Sequence, residues 1–130
     1  MEYLADTVAL ILHVGKEKRI GKKAQEILSA ADRGTHRIFI SCISFMEIMY
    51  LSEKGRISFD LEKIIQFVNS VDNYLEVPIT GQIVSQARSI DDVPELHDRI
   101  IAASAKFLDI PILTNDPIMQ SSKYMKCIWD

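Results

Sequence analysis

Apolar residues in this chain fall into short solid runs, separated by stretches in which they recur at helical spacing. Tyr3-Leu4-Ala5 is a solid run, and together with Val8 to Val14 it reads as a buried strand turning into a helix, with Asp6-Thr7 at the junction. Ala24, Ile27, Leu28 and Ala31 carry the spacing of an amphipathic helix, closed by Gly34. Arg37 to Ser41 reads as a second strand, and Ser44 to Glu53 as a helix with Phe45, Ile48, Met49 and Leu51 inward. Leu61, Ile64, Ile65 and Val68 mark another helix. Tyr74 to Ile79 reads as a third strand; Thr80 then caps a helix with Ile83, Val84, Ala87 and Ile90 on its apolar face. Leu96 to Ala105 reads as a helix, Ile110 to Thr114 as a short buried strand, and Cys127-Ile128-Trp129 as a last strand. Strands that alternate with helices and are apolar throughout predict an α/β fold, with a parallel sheet covered on both faces. No repeat, low-complexity tract or linker interrupts the pattern, so residues 1–130 read as one domain.

In such sheets a site forms outside the carboxyl ends of the strands. Four acids are placed for that rim: Asp6 after the first strand, Glu47 in the helix after the second, Asp98 at the start of the Leu96 helix, and Asp116 after Ile112-Leu113-Thr114-Asn115. Each also fits a local role. Ser44-Phe45-Met46-Glu47 matches a capping box, Asp98 lies where a helix dipole favours any carboxylate, and Asp6 and Asp116 both precede helix starts, Asp116 with Pro117 next. Convergence is what separates the two readings. Two like charges about 4 Å apart repel by about 4 kcal/mol at an effective dielectric near 20, so a cluster of four needs protons or cations. Carboxylates are the hard oxygen ligands that Mg²⁺ and Mn²⁺ prefer. A metal in such a site lowers the pKa of bound water and stabilises the leaving oxygen of a displacement at phosphorus. The hypothesis is therefore one divalent-metal site that hydrolyses RNA, a displacement at phosphorus that requires no serine, cysteine or histidine nucleophile.

Composition adds limits. Nearly half the 130 residues are hydrophobic and a quarter charged, ordinary for a globular chain. No apolar run reaches the roughly 20 residues that span a membrane, and Met1 to Asp6 has no basic region of a secretion signal, so a cytoplasmic location is expected. Cys42 and Cys127 lack metal-type spacing and read as buried free thiols. Net charge is −3, so RNA must be held by a local patch or through metals. Five of the eight residues from 16 to 23 are basic (Lys16, Lys18, Arg19, Lys22 and Lys23), either a phosphate-binding patch or a solvated loop and helix start.

Leu4-Ala5-Asp6-Thr7, Ser41-Cys42-Ile43-Ser44-Phe45-Met46-Glu47, Leu96-His97-Asp98-Arg99-Ile100-Ile101-Ala102 and Ile112-Leu113-Thr114-Asn115-Asp116 together resemble the PIN-domain family of metal-dependent ribonucleases, most closely its VapC-type toxins. The resemblance spans nearly the whole chain. It implies a three-layer α/β/α sandwich and an Mg²⁺- or Mn²⁺-dependent endoribonuclease of a toxin–antitoxin pair, with an antitoxin partner and a homodimer. By position, Asp6 and Asp98 resemble the family's principal metal ligands, and Glu47 and Asp116 its third and fourth acids. Thr7, Thr114 and Asn115 fall where the family orients ligands or water. Val8 departs from the polar or small residue of many relatives.

His97 neighbours Asp98, but adjacent helical residues point about 100° apart, so the two need not share a face. His13 and His36 have no acidic or cysteine partner at ligand spacing and read as surface or satisfied polar residues. Arg99 either neutralises part of the acid cluster or meets a partner. Two other functions fit the pattern less well. One is a receiver-type signalling domain, which needs an acidic pair after the first strand. The other is a silent binding module of the same fold, its acids acting only as caps.

Overall fold

Alternation along the strands sets the layers. Tyr3 and Ala5 belong to one buried cluster with Ile38 and Ile40, while Leu4 belongs to another with Ile112. In the computed structural model, which describes residues 1–130, these residues lie on five strands: β1 Glu2–Ala5, β2 Arg37–Ser41, β3 Tyr74–Val77, β4 Ile112–Leu113 and β5 Cys127–Ile128. All pairings are parallel, in the order β3-β2-β1-β4-β5. Leu4 sits opposite both Phe39 and Ile112, which makes β1 the central strand.

Seven helices cover the two faces: α1 Thr7–Val14, α2 Lys22–Asp32, α3 Cys42–Glu53, α4 Leu61–Ser70, α5 Gly81–Arg88, α6 Leu96–Leu108 and α7 Pro117–Gln120. Helices α1 to α4 pack on the first face through Leu10, Leu28, Ile48 and Ile64, and α5 to α7 on the second through Ile83, Ile101 and Met119. The architecture is the expected three-layer α/β/α sandwich. Its strand order reverses between β1 and β4, the point at which open sheets of this kind form a crevice.

Several expectations shift in detail. β3 stops at Val77 because Pro78 has no N–H to continue the ladder, and Ile79 is exposed. α3 begins at Cys42, capped by Ser41, whose hydroxyl accepts from Ile43 N–H (3.3 Å); the expected start at Ser44 is therefore wrong. Val84 is 52% exposed and does not belong to the apolar face of α5. No helix is long and apolar enough to cross a membrane. Both cysteines are unpaired as expected but only half-buried, not buried; partial burial still pushes both thiols up, Cys127 to about 11 with help from the charges of Asp6 and Asp116.

Candidate metal centre

Asp6 follows β1 directly. Its amide donates to Leu113 O of β4 (3.1 Å), its carbonyl accepts from Leu10 N–H (3.1 Å), and its carboxylate caps α1 by accepting from Ala9 N–H (2.8 Å). The side chain is thus fixed at the crevice between the two central strands. Asp116 follows β4, and its carboxylate caps α7 through Ile118 N–H (2.8 Å) and Met119 N–H (3.3 Å). Both acids therefore have the cap role that their position suggests.

The other two do not. The capping box is absent: Glu47 does not bond back to its own helix start but accepts the Thr7 hydroxyl at 2.5 Å, from α1. Asp98 caps nothing. Glu95 is the N-cap of α6, accepting from Asp98 N–H at 2.7 Å, and no protein donor reaches the Asp98 carboxylate.

Asp6, Thr7, Glu47, Asp98, Asn115 and Asp116 line one cavity of about 340 Å³ at the carboxyl ends of β1 and β4, with Val8, Ile101 and Pro117. Thr114 is buried just beneath. Its hydroxyl accepts from Asp116 N–H (3.1 Å) and lies near enough to Asp6 to favour the ionised form of that acid. The charges interact. Burial pushes Asp6 up to about 6 against the Thr114 hydroxyl and the Ala9 amide, with Asp98 and Asp116 adding repulsion. Burial likewise pushes Asp98 up to about 6, reinforced by Asp116, Glu95 and Glu47 and opposed by His97.

Negative charge is therefore gathered here without a compensating cation from the chain. Arg99, beside Asp98, does not supply one, because its guanidinium bonds to the carbonyls of Val93 (2.8 Å) and Pro94 (3.4 Å). In this arrangement no three carboxylate, imidazole or thiol groups stand close enough to hold one ion. Three of the four acids are drawn to donors of their own, at Ala9, Thr7 and α7. The donor set itself, all carboxylate oxygens around a polar cavity with hydroxyl and amide neighbours, fits a hard divalent cation.

The remaining candidates lie elsewhere. His97 faces Glu95 (3.2 Å) and lines a separate groove between α5 and α6. His13 does have an acidic partner: its Nε2 lies 2.8 Å from Asp32, which also accepts from the Tyr74 hydroxyl (2.8 Å), a link between distant elements that sequence spacing does not reveal. His36 is not satisfied, since its Nδ1 is buried without a partner. Lys16, Lys18 and Arg19 are exposed on the α1–α2 connection, and Lys22 and Lys23 on the first turn of α2. None of the five lines the acid cavity. Sequence reasoning missed two residues around the site. Glu95 carried the signal of an acid just ahead of a helix. Ser44, whose hydroxyl meets Thr7 at 2.9 Å, carried no signal that could be told from a cap.

The family model of the PIN domain matches residues 3–122. Comparison with curated proteins finds no match. Among solved structures, the chain resembles one in VapBC2 from Rickettsia felis bound to a DNA fragment from its promoter, at 16% identity and a TM-score of 0.73, covering 100% of both chains. It also resembles one in DNA-bound VapBC from Salmonella typhimurium, at 20% identity and a TM-score of 0.70, covering 98% of this chain and 97% of that one. A toxin–antitoxin complex from Klebsiella pneumoniae contains a third, at 20% identity and a TM-score of 0.64, covering 92% of this chain and 90% of that one.

Proposed function

The chain belongs to the PIN-domain family, whose members are generally nucleases, and from that premise we propose that it is a divalent-metal-dependent endoribonuclease of the VapC type, the toxin of a toxin–antitoxin pair. The observation that carries the proposal is the single cavity that Asp6, Glu47, Asp98 and Asp116, from four separate elements, line together at the strand-order switch. The toxin role draws further support from the Klebsiella pneumoniae complex and from the VapBC relatives.

In this reading Asp6 and Asp98 are the principal holders of Mg²⁺ or Mn²⁺, with Glu47 and Asp116 completing the set. A bound divalent cation supplies water of lowered pKa and positive charge toward the phosphate oxygens. The chain's own residues do the rest. Asp6 and Asp98, each pushed to about 6, are mostly ionised at neutral pH and give up their last protons at little cost. Thr7 fixes Glu47, and Thr114 holds the Asp116 amide and favours the ionised form of Asp6. Asn115, exposed at the lip, offers an amide to a phosphate oxygen. Lys16, Lys18, Arg19, Lys22 and Lys23 guide the RNA backbone by charge.

One observation favours a silent module of the same fold instead: Asp6 and Asp116 satisfy helix starts, as structural acids would. Cleavage decides between the two. Purified chain should cut RNA with Mn²⁺ or Mg²⁺, lose that activity in excess chelator, and lose it in Asp98→Asn while keeping its circular dichroism spectrum. Full cleavage by Asp98→Asn, or cleavage in chelator, removes the metal nuclease from consideration.

A further inference from the structure

The Thr7 hydroxyl has more neighbours than its one proton can serve. It lies 2.9 Å from Ser44 Oγ and 2.5 Å from Glu47 Oε1, linking α1 to two positions on α3. The shorter approach ends on a carboxylate, and O–H···O⁻ bonds are the short, strong kind, about 2.5–2.7 Å. The Thr7 proton therefore goes to Glu47. The bond with Ser44 must then be closed by the Ser44 proton, with Thr7 accepting. Burial gives the same answer. Ser44 is 0% exposed, so water cannot take its proton, and a buried hydroxyl that donates to nothing is disfavoured.

The protons thus run one way, Ser44 to Thr7 to Glu47. Glu47 Oε1 is committed, and Oε2 takes no protein donor. We propose that Ser44 is a positioning residue of the acid cavity: by donating to Thr7 it keeps the Thr7 proton on Glu47 Oε1, so that Glu47 offers Oε2 to the divalent cation. Ser44 touches neither the cation nor the RNA and acts only through Thr7. Its role rests on the acid cavity holding a metal.

Calorimetric titration of the full chain with Mn²⁺ alone, at neutral pH, tests it without reference to cleavage. Ser44→Ala should bind Mn²⁺ about 10- to 100-fold more weakly, the usual cost of removing a group that orients a ligand. Ser44→Thr, which restores a hydroxyl, should bind close to the unaltered chain. Thr7→Val should weaken binding at least as much as Ser44→Ala, and adding Ser44→Ala to Thr7→Val should weaken it no further, because the relay is already broken. Unchanged Mn²⁺ affinity in Ser44→Ala, failure of Ser44→Thr to restore it, or additive losses in the double variant would each overturn the role. If Ser44→Ala does not fold, Ser44→Cys, which keeps the volume but is a weak donor, takes its place: weakened Mn²⁺ binding is expected, and unchanged affinity overturns the role. Asp98→Asn is the control. If that variant binds Mn²⁺ as the unaltered chain does, the cavity holds no metal. If it abolishes binding while Ser44→Ala does not weaken it, only the part given to Ser44 is wrong.

Discussion

Asp6 does two jobs that one substitution separates. Its carboxylate caps α1, and its charge sits 7% exposed against Asp98 and Asp116. Asparagine caps a helix as well as aspartate does, so Asp6→Asn keeps the first job and removes the second. Burial raises the folded-state pKa from 3.8 to about 6, so between those values the folded chain binds more protons than the unfolded chain. Without metal, stability then falls as pH rises through that window and levels off above it. The full gap corresponds to about 3 kcal/mol. Urea denaturation in chelator should therefore find Asp6→Asn more stable than the unaltered chain at neutral pH, by up to about 3 kcal/mol. The difference should shrink as pH drops from about 6 toward 3.8. A less stable Asp6→Asn at neutral pH would make the carboxylate an ordinary cap. The same substitution abolishes cleavage if the acids hold the metal, so stability and activity would move in opposite directions.

At the scale of elements, what the sequence disclosed and what it hid divide along local and distant contacts. The β1–α1 and β4–α7 junctions were legible because a solid apolar run followed by an acid marks both the end of a strand and the start of a helix. Asp6 and Asp116 stand where that reasoning puts them. The start of α3 was hidden. Ser41 and Ser44 both fit a cap, and only the Thr7 hydroxyl, 37 residues away, shows that Ser44 is turned toward α1. The start of α6 was ambiguous for a different reason: Glu95 and Asp98 lie within one turn, where the dipole favours any carboxylate. Glu95 won the cap because its side chain reaches Asp98 N–H, which leaves Asp98 free to face the cavity. Glu95→Ala should therefore fray the turn that carries Asp98, costing about 1 kcal/mol in urea denaturation. It should also speed hydrogen exchange at the Asp98 amide, while Glu95→Gln, which keeps an acceptor oxygen, should leave that amide protected. Equal protection in both variants would take the cap away from Glu95.

At the scale of the molecule, a net charge of −3 sets a problem for the proposed RNA substrate, and the fold suggests where it is solved. Gly21, the N-cap of α2, lies so close to Trp129 that an added Cβ would stand 2.2 Å from its carbonyl oxygen. Ala24 N–H donates to that oxygen at 3.0 Å. Trp129 immediately follows β5, which pairs with β4, and β4 leads to Asp116. The start of α2 is thereby tied to the carboxyl edge of the sheet, one strand beyond the acid cavity. Lys22 and Lys23 are exposed there with no ion pair, at a helix end whose dipole disfavours cations. A phosphate backbone crossing from the cavity toward β5 would meet both. Replacing both by alanine should weaken binding of single-stranded RNA and flatten its dependence on salt by about 1.4 in log–log slope, at about 0.7 for each phosphate left without its lysine. Mn²⁺ affinity should not change, because neither lysine lines the acid cavity. An unchanged salt slope would send the RNA along another edge of the sheet.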